Sequence, residues 1–484
     1  MAQQSIQKNF IYSGLLTVAN YLFPVITYPY VSRVLGVEHI GLINFIDGII
    51  NYFIIFSMFG LTVVGVRAVA SSRSERVRLT QTYSSLFVFN MITTAVASAA
   101  LVVCMFAVPR IAEHRHLMMI GLIKLLANFM MVEWLYKGLE DFRYITLRTV
   151  VVRLLSCVAV FVFVRGESDY MIYYLIGVVG IVCNAICNQV MSLQHVRLSF
   201  REVHLRPHLS ALIIMGIYVI FTSLYTTFNT AYLGFVADDV QVGYYATAVK
   251  IYTLIIALYT AFTSVMLPRM SALVSEGRID EFRQLVQKSY SALFAVAVPT
   301  ILLAECYAPQ VVRIISGPGY EGAILPMRIV IPLMLVIGVE QILIIQILMP
   351  LKRDRQVLTG ALVGGTLGVG LNVLLVPLMQ SVGSAIVWVT SEIAVLMVAQ
   401  HYVRQYIGLQ FPYARLLREF LWMLPAALLL AGCMLVPCNQ IVMMFVAALL
   451  VYGYAVVVQL RILRNPLCLE LWEKFTRRFL PNRA

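Results

Sequence analysis

The chain has 484 residues, of which 61% are hydrophobic and only 12% charged; its mean hydropathy is +0.87 and its formal charge at pH 7 is +13. That balance excludes a water-soluble globular domain, whose surface would need far more charged side chains. No stacking sheet or basic recognition helix accompanies the positive charge, so a nucleic-acid partner is not expected.

The start, Met1 to Lys8, runs directly into an apolar stretch too long for the h-region of a cleavable signal peptide. Fourteen apolar stretches then follow one another, at approximately 9–31, 40–65, 83–108, 118–136, 145–164, 169–192, 209–235, 243–267, 289–308, 323–349, 357–378, 381–402, 419–437 and 440–460. Backbone groups in lipid must bond within their own segment, so these predict an all-α integral membrane protein of about 14 transmembrane helices. The last pair requires Pro437, Cys438, Asn439 and Gln440 to turn the chain very tightly; without that pair the count is twelve.

Orientation follows from the joints. With Lys8 placed inside, the inside joints and tail hold 26 of the 36 basic residues and the outside joints five, namely Arg33, Arg110, Arg115, Arg165 and Arg313. That asymmetry satisfies the positive-inside rule and predicts both termini on the cytoplasmic side. The charge is then mostly topology, and attraction of basic loops to anionic lipid accounts for it without a substrate.

Helix irregularity is expected at Pro24 and Pro29 in the first span, Pro299 in the ninth, and Pro326 and Pro332 in the tenth. Kinked helices of this kind are candidates for gating. Tyr21, Phe23, Tyr28 and Tyr30 in the first span fit either a sugar-contacting cavity or an interfacial aromatic belt. Gly360, Gly364 and Gly368 predict close helix packing within the eleventh span. Beyond the last span, Trp472, Phe475 and Phe479 recur beside Lys474, Arg477 and Arg478, as in a short amphipathic helix lying on a membrane surface.

Metal and cofactor chemistry find no support. The eight cysteines form no Cys-x-x-Cys pair, the histidines no His-Glu-x-x-His pattern, and no P-loop is present. Any transport must therefore draw on a gradient or an external partner.

Charges inside the spans are the strongest local signal. They are Asp47, Lys124, Glu133, Arg148, Arg153, Lys250, Glu305, Arg328, Glu340 and Glu392. Each costs about 2.5–3.5 kcal/mol at a helix centre even on the lenient insertion scale, so it should face a bundle interior or snorkel outward. Glu133 and Arg148 lie about one turn from an edge and read as interface residues. Lys124, Arg153, Lys250 and Arg328 lie deeper. A cationic set of this kind suits an anionic substrate; the alternative is structural pairing with Asp47, Glu340 or Glu392.

Four motifs carry a family resemblance: Pro29-Tyr-Val-Ser-Arg33-Val-Leu-Gly36 with Gly41 after it; Asn51-Tyr-Phe leading to Phe59-Gly-Leu and Gly65-Val-Arg67; Glu133-Trp-Leu-Tyr-Lys-Gly138-Leu-Glu140 before Phe142; and Val242-Gly-Tyr-Tyr-Ala-Thr-Ala-Val-Lys250. In this order, over nearly the whole chain, the sequence resembles the O-antigen and capsular repeat-unit flippases of the multidrug/oligosaccharidyl-lipid/polysaccharide exporter superfamily. The resemblance implies two six-helix lobes with pseudo-twofold symmetry, at 1–205 and 206–404, with two added helices and a basic tail at 405–484. It further implies a non-enzymatic, cofactor-free carrier of lipid-linked oligosaccharide in the bacterial inner membrane, working as a monomer beside a glycan polymerase and other assembly proteins. Lys124, Arg153, Lys250 and Arg328 would meet the diphosphate, and Asp47, Glu133, Glu340 and Glu392 would serve coupling or structure. The competing readings are a cation-coupled multidrug exporter, a lipid II flippase and a non-transport scaffold for glycan assembly.

Overall fold

The structure, a computed structural model, describes residues 6–466, 468–470 and 472–473. Its helices follow the apolar stretches in chain order, and the described residues contain no strand. The first crossings come from α1 (Ile6–Met58), α2 (Leu61–Ser72) and α3 (Arg76–Ala107). Next are the short α4 (Pro109–Glu113), then α5 (Arg115–Phe129), α6 (Glu133–Gly138), α7 (Phe142–Phe163) and α8 (Tyr170–Ser192). After them come α9 (Arg206–Thr226), α10 (Phe228–Val236), α11 (Asp239–Ser275), α12 (Ile279–Cys306), α13 (Ala308–Ser316), α14 (Ile324–Val330) and α15 (Leu333–Gln341). Last come α16 (Asp354–Ile407), α17 (Tyr413–Leu435) and α18 (Gln440–Val457).

Among the described residues, twelve stretches are long and apolar enough to cross a membrane, and two of them, Leu22–Ser72 and Asp354–Ile407, run for 51 and 54 residues. At 1.5 Å per residue each of these exceeds twice a hydrocarbon core of about 30 Å. Besides the Phe59–Gly60 turn that joins α1 to α2, each is interrupted by non-helical backbone within a helix, at Gly36 (φ 72°) and at Gln380 (φ 49°). Divided there, they bring the crossings to fourteen. The break in α1 falls at Gly36, where a glycine meets positive φ without a Cβ penalty, while the backbone stays helical through Pro24 and Pro29. Pro299 likewise lies within α12, whereas Pro332 separates α14, which contains Pro326, from α15.

The tight last turn is formed. The Asn439 side chain accepts from Ile441 N at 2.9 Å and so caps α18. Met423, Ala426 and Leu430 of α17 pack with Ala447, Val451 and Ala455 of α18 against Val298 of α12. The amphipathic tail expected over Phe475 and Phe479 lies outside the described residues.

The chain forms two compact units, one of residues 1–246 with 365–387 and one of residues 247–364 with 388–484. Within the first, two of the resemblance motifs meet. A Cβ on Gly41 would overlap the Asp239 carbonyl and lie 2.8 Å from Gly243 N, and a Cβ on Gly243 would strike the Val37 carbonyl. These glycines let the second arm of α1 lie backbone to backbone on the start of α11. The close approach in α16 comes at Gly365, where a Cβ would sit 2.7 Å from the Phe221 carbonyl oxygen; at Gly360 the nearest atom, on Val395, would be an ordinary 3.5 Å away.

Candidate functional site

The fourth span is broken, and the break builds a site. Between α5 and α6 the backbone turns through Val132 at φ 34°, freeing carbonyls that the helix would otherwise bond. Side chains of α8 take them: Asn188 Nδ2 donates to Met131 O, and Gln189 Nε2 donates to Met130 O at 3.0 Å. Glu133 thereby becomes the first residue of α6, where a carboxylate suits the helix dipole. Its Oε1 accepts from Arg148 Nη2 of α7 at 3.2 Å, and its Oε2 pairs with Lys137 Nζ at 3.1 Å.

Arg148 corrects its sequence reading as an edge residue. Its side chain is 5% exposed and turned inward, donating also to Thr149 Oγ1 at 3.0 Å and to Asn188 Oδ1. Asn188 is thus the hub, taking a backbone carbonyl with its nitrogen and a guanidinium with its oxygen, while its own carbonyl accepts from Tyr136 OH. The sequence shows only a polar residue in the sixth span, and nothing in its spacing marks this role.

A cavity of about 510 Å³ opens beside this network, lined by α1, α6, α7 and α8. Glu133, Lys137, Arg148 and Arg153 face it together with Ser156 and Asn184. Arg153 is partly buried and, among the described residues, has neither a hydrogen bond nor an ion pair; Glu133 acts on it only through its charge. Asn184 Oδ1 is buried without a hydrogen-bond partner. With one carboxylate against three cations, the cavity is cationic inside an otherwise apolar lobe, which favours an anion with acceptor oxygens.

Lys124 stands elsewhere in the same unit. Its Nζ contacts Asp47 Oδ1 at 2.5 Å and donates to Asn51 Oδ1 at 3.1 Å. Asn51 Nδ2 closes the ring onto Asp47 Oδ2 at 3.1 Å, and Tyr174 OH donates to Asp47 Oδ1 at 3.4 Å. The spacing of Asp47 and Asn51, four residues apart on α1, puts both on one face toward Lys124 of α5. Lys124 is 13% and Asp47 33% exposed, so the pair is half wet.

The second unit holds the remaining charges. Lys250 is partly buried on α11. Arg328 Nε lies 4.0 Å from Glu305 Oε2, with 44% of the Arg328 side chain exposed, a loose pair. Glu340 of α15 and Glu392 of α16 are neighbouring carboxyls; Glu392 is buried and accepts from Trp388 Nε1 at 2.9 Å, while Glu340 Oε2 is buried without a hydrogen-bond partner. In the first unit a further polar cluster, Asn372 Nδ2 to Asn229 Oδ1 at 2.6 Å with Tyr245 OH beside it, escaped the sequence reading because amides carry no charge to flag.

A fourteen-crossing helical bundle with polar networks buried in its lobes is the build of a membrane transporter. The fold is similar to that of the lipid II flippase MurJ in an inward closed conformation, with a TM-score of 0.75 over 94% of this chain and 99% of that one at 13% identity. It is also similar to an outward-facing multidrug resistance MATE family transporter of the MOP superfamily, with a TM-score of 0.59, 84% and 97% coverage and 13% identity. In sequence, the chain is 26% identical over 413 residues to a protein of Escherichia coli (strain K12) provisionally named O-antigen transporter, covering 83% of this chain and 97% of that one. A protein of Shigella dysenteriae with the same provisional name is 23% identical over 323 residues, covering 65% and 79%. Residues 6–274 match the family described as polysaccharide biosynthesis protein, and the chain belongs to that family.

Proposed function

We propose that the protein moves a polyprenyl-diphosphate-linked oligosaccharide repeat unit from the inner to the outer leaflet of the bacterial inner membrane, with both termini cytoplasmic. Family membership and the two O-antigen transporter relatives support a polysaccharide-related flippase. The observation that carries the finer reading is the cavity around Arg153, where a guanidinium without an ion-pair partner among the described residues faces polar space inside an apolar lobe. The chemistry is one of moving a head: diphosphate and sugars cannot leave water unaided, whereas the isoprenoid can stay in lipid.

In this reading Arg153 receives the diphosphate; Lys250, Arg328 and Lys124, the last once its hold on Asp47 loosens, are the further candidates. Residues 1–205 and 206–404 act as the moving lobes, and the prolines of the first and tenth spans are the candidate hinges. The neighbouring carboxyls of Glu340 and Glu392 are the coupling candidates of the second unit, with Trp388 and the Tyr252 ring 5.2 Å from that indole beside them. The protein acts as a monomer alongside a glycan polymerase. A cation-coupled drug exporter is the second reading, favoured by the MATE-like fold and the carboxyl pair. Three cations against one carboxylate in the cavity oppose a cationic cargo.

A clean deletion separates the two. Lipid-linked repeat units should accumulate facing the cytoplasm, and surface glycan should be lost. Intact glycan export with increased drug retention would reverse the choice.

A further inference from the structure

A second cavity, of about 410 Å³, lies in the other unit, well apart in sequence from the Arg153 network, and no step of the transport reading uses it. It is lined by Arg283, Gln287, Lys288 and Ser291 of α12, by Leu409 and Arg415 around the start of α17, and by Pro466 after α18. By the charge asymmetry of the joints, all three segments belong to the side that holds most of the Lys and Arg.

Its cations are held in place. Arg415 Nη1 donates to Gln287 O at 2.9 Å and to Ser291 Oγ at 2.8 Å. Arg283 Nη2 donates to Ile407 O, one of the last carbonyls of α16, at 3.1 Å. The walls are pinned too: Gln400 Nε2 fixes Leu409 O at 3.0 Å, and Asn465 Nδ2 reaches Ser291 O at 3.2 Å. Each guanidinium therefore spends one nitrogen on the protein and keeps donors for another acceptor.

The acids nearby do not cancel this charge. Glu470 lies 3.8 Å from Lys288, a loose and half-exposed contact. Glu419, which acts on Arg415 by charge, accepts from Gln459 Nε2 at 2.8 Å, and Arg418 adds a further positive charge. Neither Arg283 nor Arg415 has a carboxylate within ion-pair distance among the described residues.

An aromatic group adjoins the cavity. The Phe411 ring, two residues from Leu409, lies 6.0 Å from Tyr290, 6.1 Å from Phe294 and 4.7 Å from Tyr413. Tyr290 and Phe294 are buried, whereas Tyr413 at the start of α17 is 73% exposed, the placement of an interfacial tyrosine where acyl chains give way to headgroups. A rigid cationic recess at that level, with Leu409 and Pro466 on its wall, matches a phosphate that has an acyl chain attached.

We propose that this recess is a binding site for the phosphate of an anionic phospholipid headgroup, with Arg283, Lys288 and Arg415 as its donors. The site is a fixed lipid contact that holds α12 and the added helices at headgroup level, and it stands or falls independently of the glycan assignment. A diffuse positive loop would attract the same lipids without discrimination. The recess predicts selectivity and a dependence on these particular residues.

The test uses the full-length protein in nanodiscs made of phosphatidylcholine with a trace of phosphatidylglycerol, with lipid retention counted by native mass spectrometry. Arg283→Gln/Lys288→Gln is the test variant, because Arg415 also braces α12 and its loss would confound folding. Arg76→Gln/Arg78→Gln, at an exposed basic joint of the other unit, is the control. Wild type and control should retain phosphatidylglycerol over phosphatidylcholine by roughly tenfold or more, and the test variant should fall to near parity. Retention by the test variant equal to wild type overturns the proposal. So does an equal loss in the control, which would mean a diffuse surface effect. Inorganic phosphate supplies the remaining arm: if it stabilises the wild type fully and phosphatidylglycerol adds nothing, the recess takes a soluble anion and the lipid assignment fails.

Discussion

Arg148 and Arg153 sit five residues apart on α7, face one cavity and have opposite surroundings. Arg148 is spent on Glu133, Thr149 and Asn188, whereas Arg153 has no hydrogen bond or ion pair among the described residues. Arg148→Gln should therefore be a stability variant, losing about 2 kcal/mol, a value discounted because the Glu133 side chain keeps 32% exposure. Denaturation in detergent checks this, and pairing it with Glu133→Gln should recover part of the loss. Arg153→Gln should leave the denaturation midpoint in place. His195 supplies a pH dependence outside the spans. Burial holds its imidazole below the usual value near 6.5, against the weaker opposing pull of Asp141. As pH falls through 6.5 the unfolded chain takes up a proton before the folded one does, so stability declines from there until the folded imidazole also titrates. His195→Gln should flatten that decline in a thermal melt across pH 7.5 to about 5; an unchanged slope would show that His195 does not contribute.

At the scale of elements, the crossings were legible because each is an apolar run of membrane length, a property that sequence carries directly. The breaks were not. Phe59–Gly60, Val132 and Thr227 interrupt stretches that read as continuous spans, and what makes the fourth-span break tolerable is Asn188 and Gln189 accepting the duty from nearly sixty residues away. The prolines were visible, but their effect depends on context: α1 stays helical through Pro24 and Pro29 and breaks at Gly36. Motif glycines were legible as signatures and not as contacts. Gly41→Ala and Gly243→Ala should each force α1 and α11 apart, costing more than the about 1–3 kcal/mol of ordinary overpacking, since the obstacles are backbone. Gly177→Ala, with nothing within 4 Å of its added Cβ, should be neutral. Membrane abundance by immunoblot with a fluorescence-detected melt distinguishes the two outcomes.

For the whole molecule, the four cations singled out in the sequence fall into different environments. Lys124 belongs to an Asp47–Asn51 ring, Arg328 to a loose pair with Glu305, Arg153 to an open cavity and Lys250 to a partly buried position on α11. Charge in a span is readable from one sequence; which charges neutralise one another is a property of packing between helices, and single-sequence reading has no access to it. The central claim is that a cationic cavity in a polysaccharide-family transporter passes the diphosphate of a lipid-linked glycan. Its most direct test is leaflet transfer of purified lipid-linked repeat unit in proteoliposomes, comparing wild type, Arg153→Gln and Arg153→Lys at equal reconstituted amounts. Wild type should transfer the repeat unit, Arg153→Gln should lose about tenfold or more, and Arg153→Lys, which keeps the charge but not the bidentate fork, should lose less. Transfer by Arg153→Gln at the wild-type rate would contradict that claim.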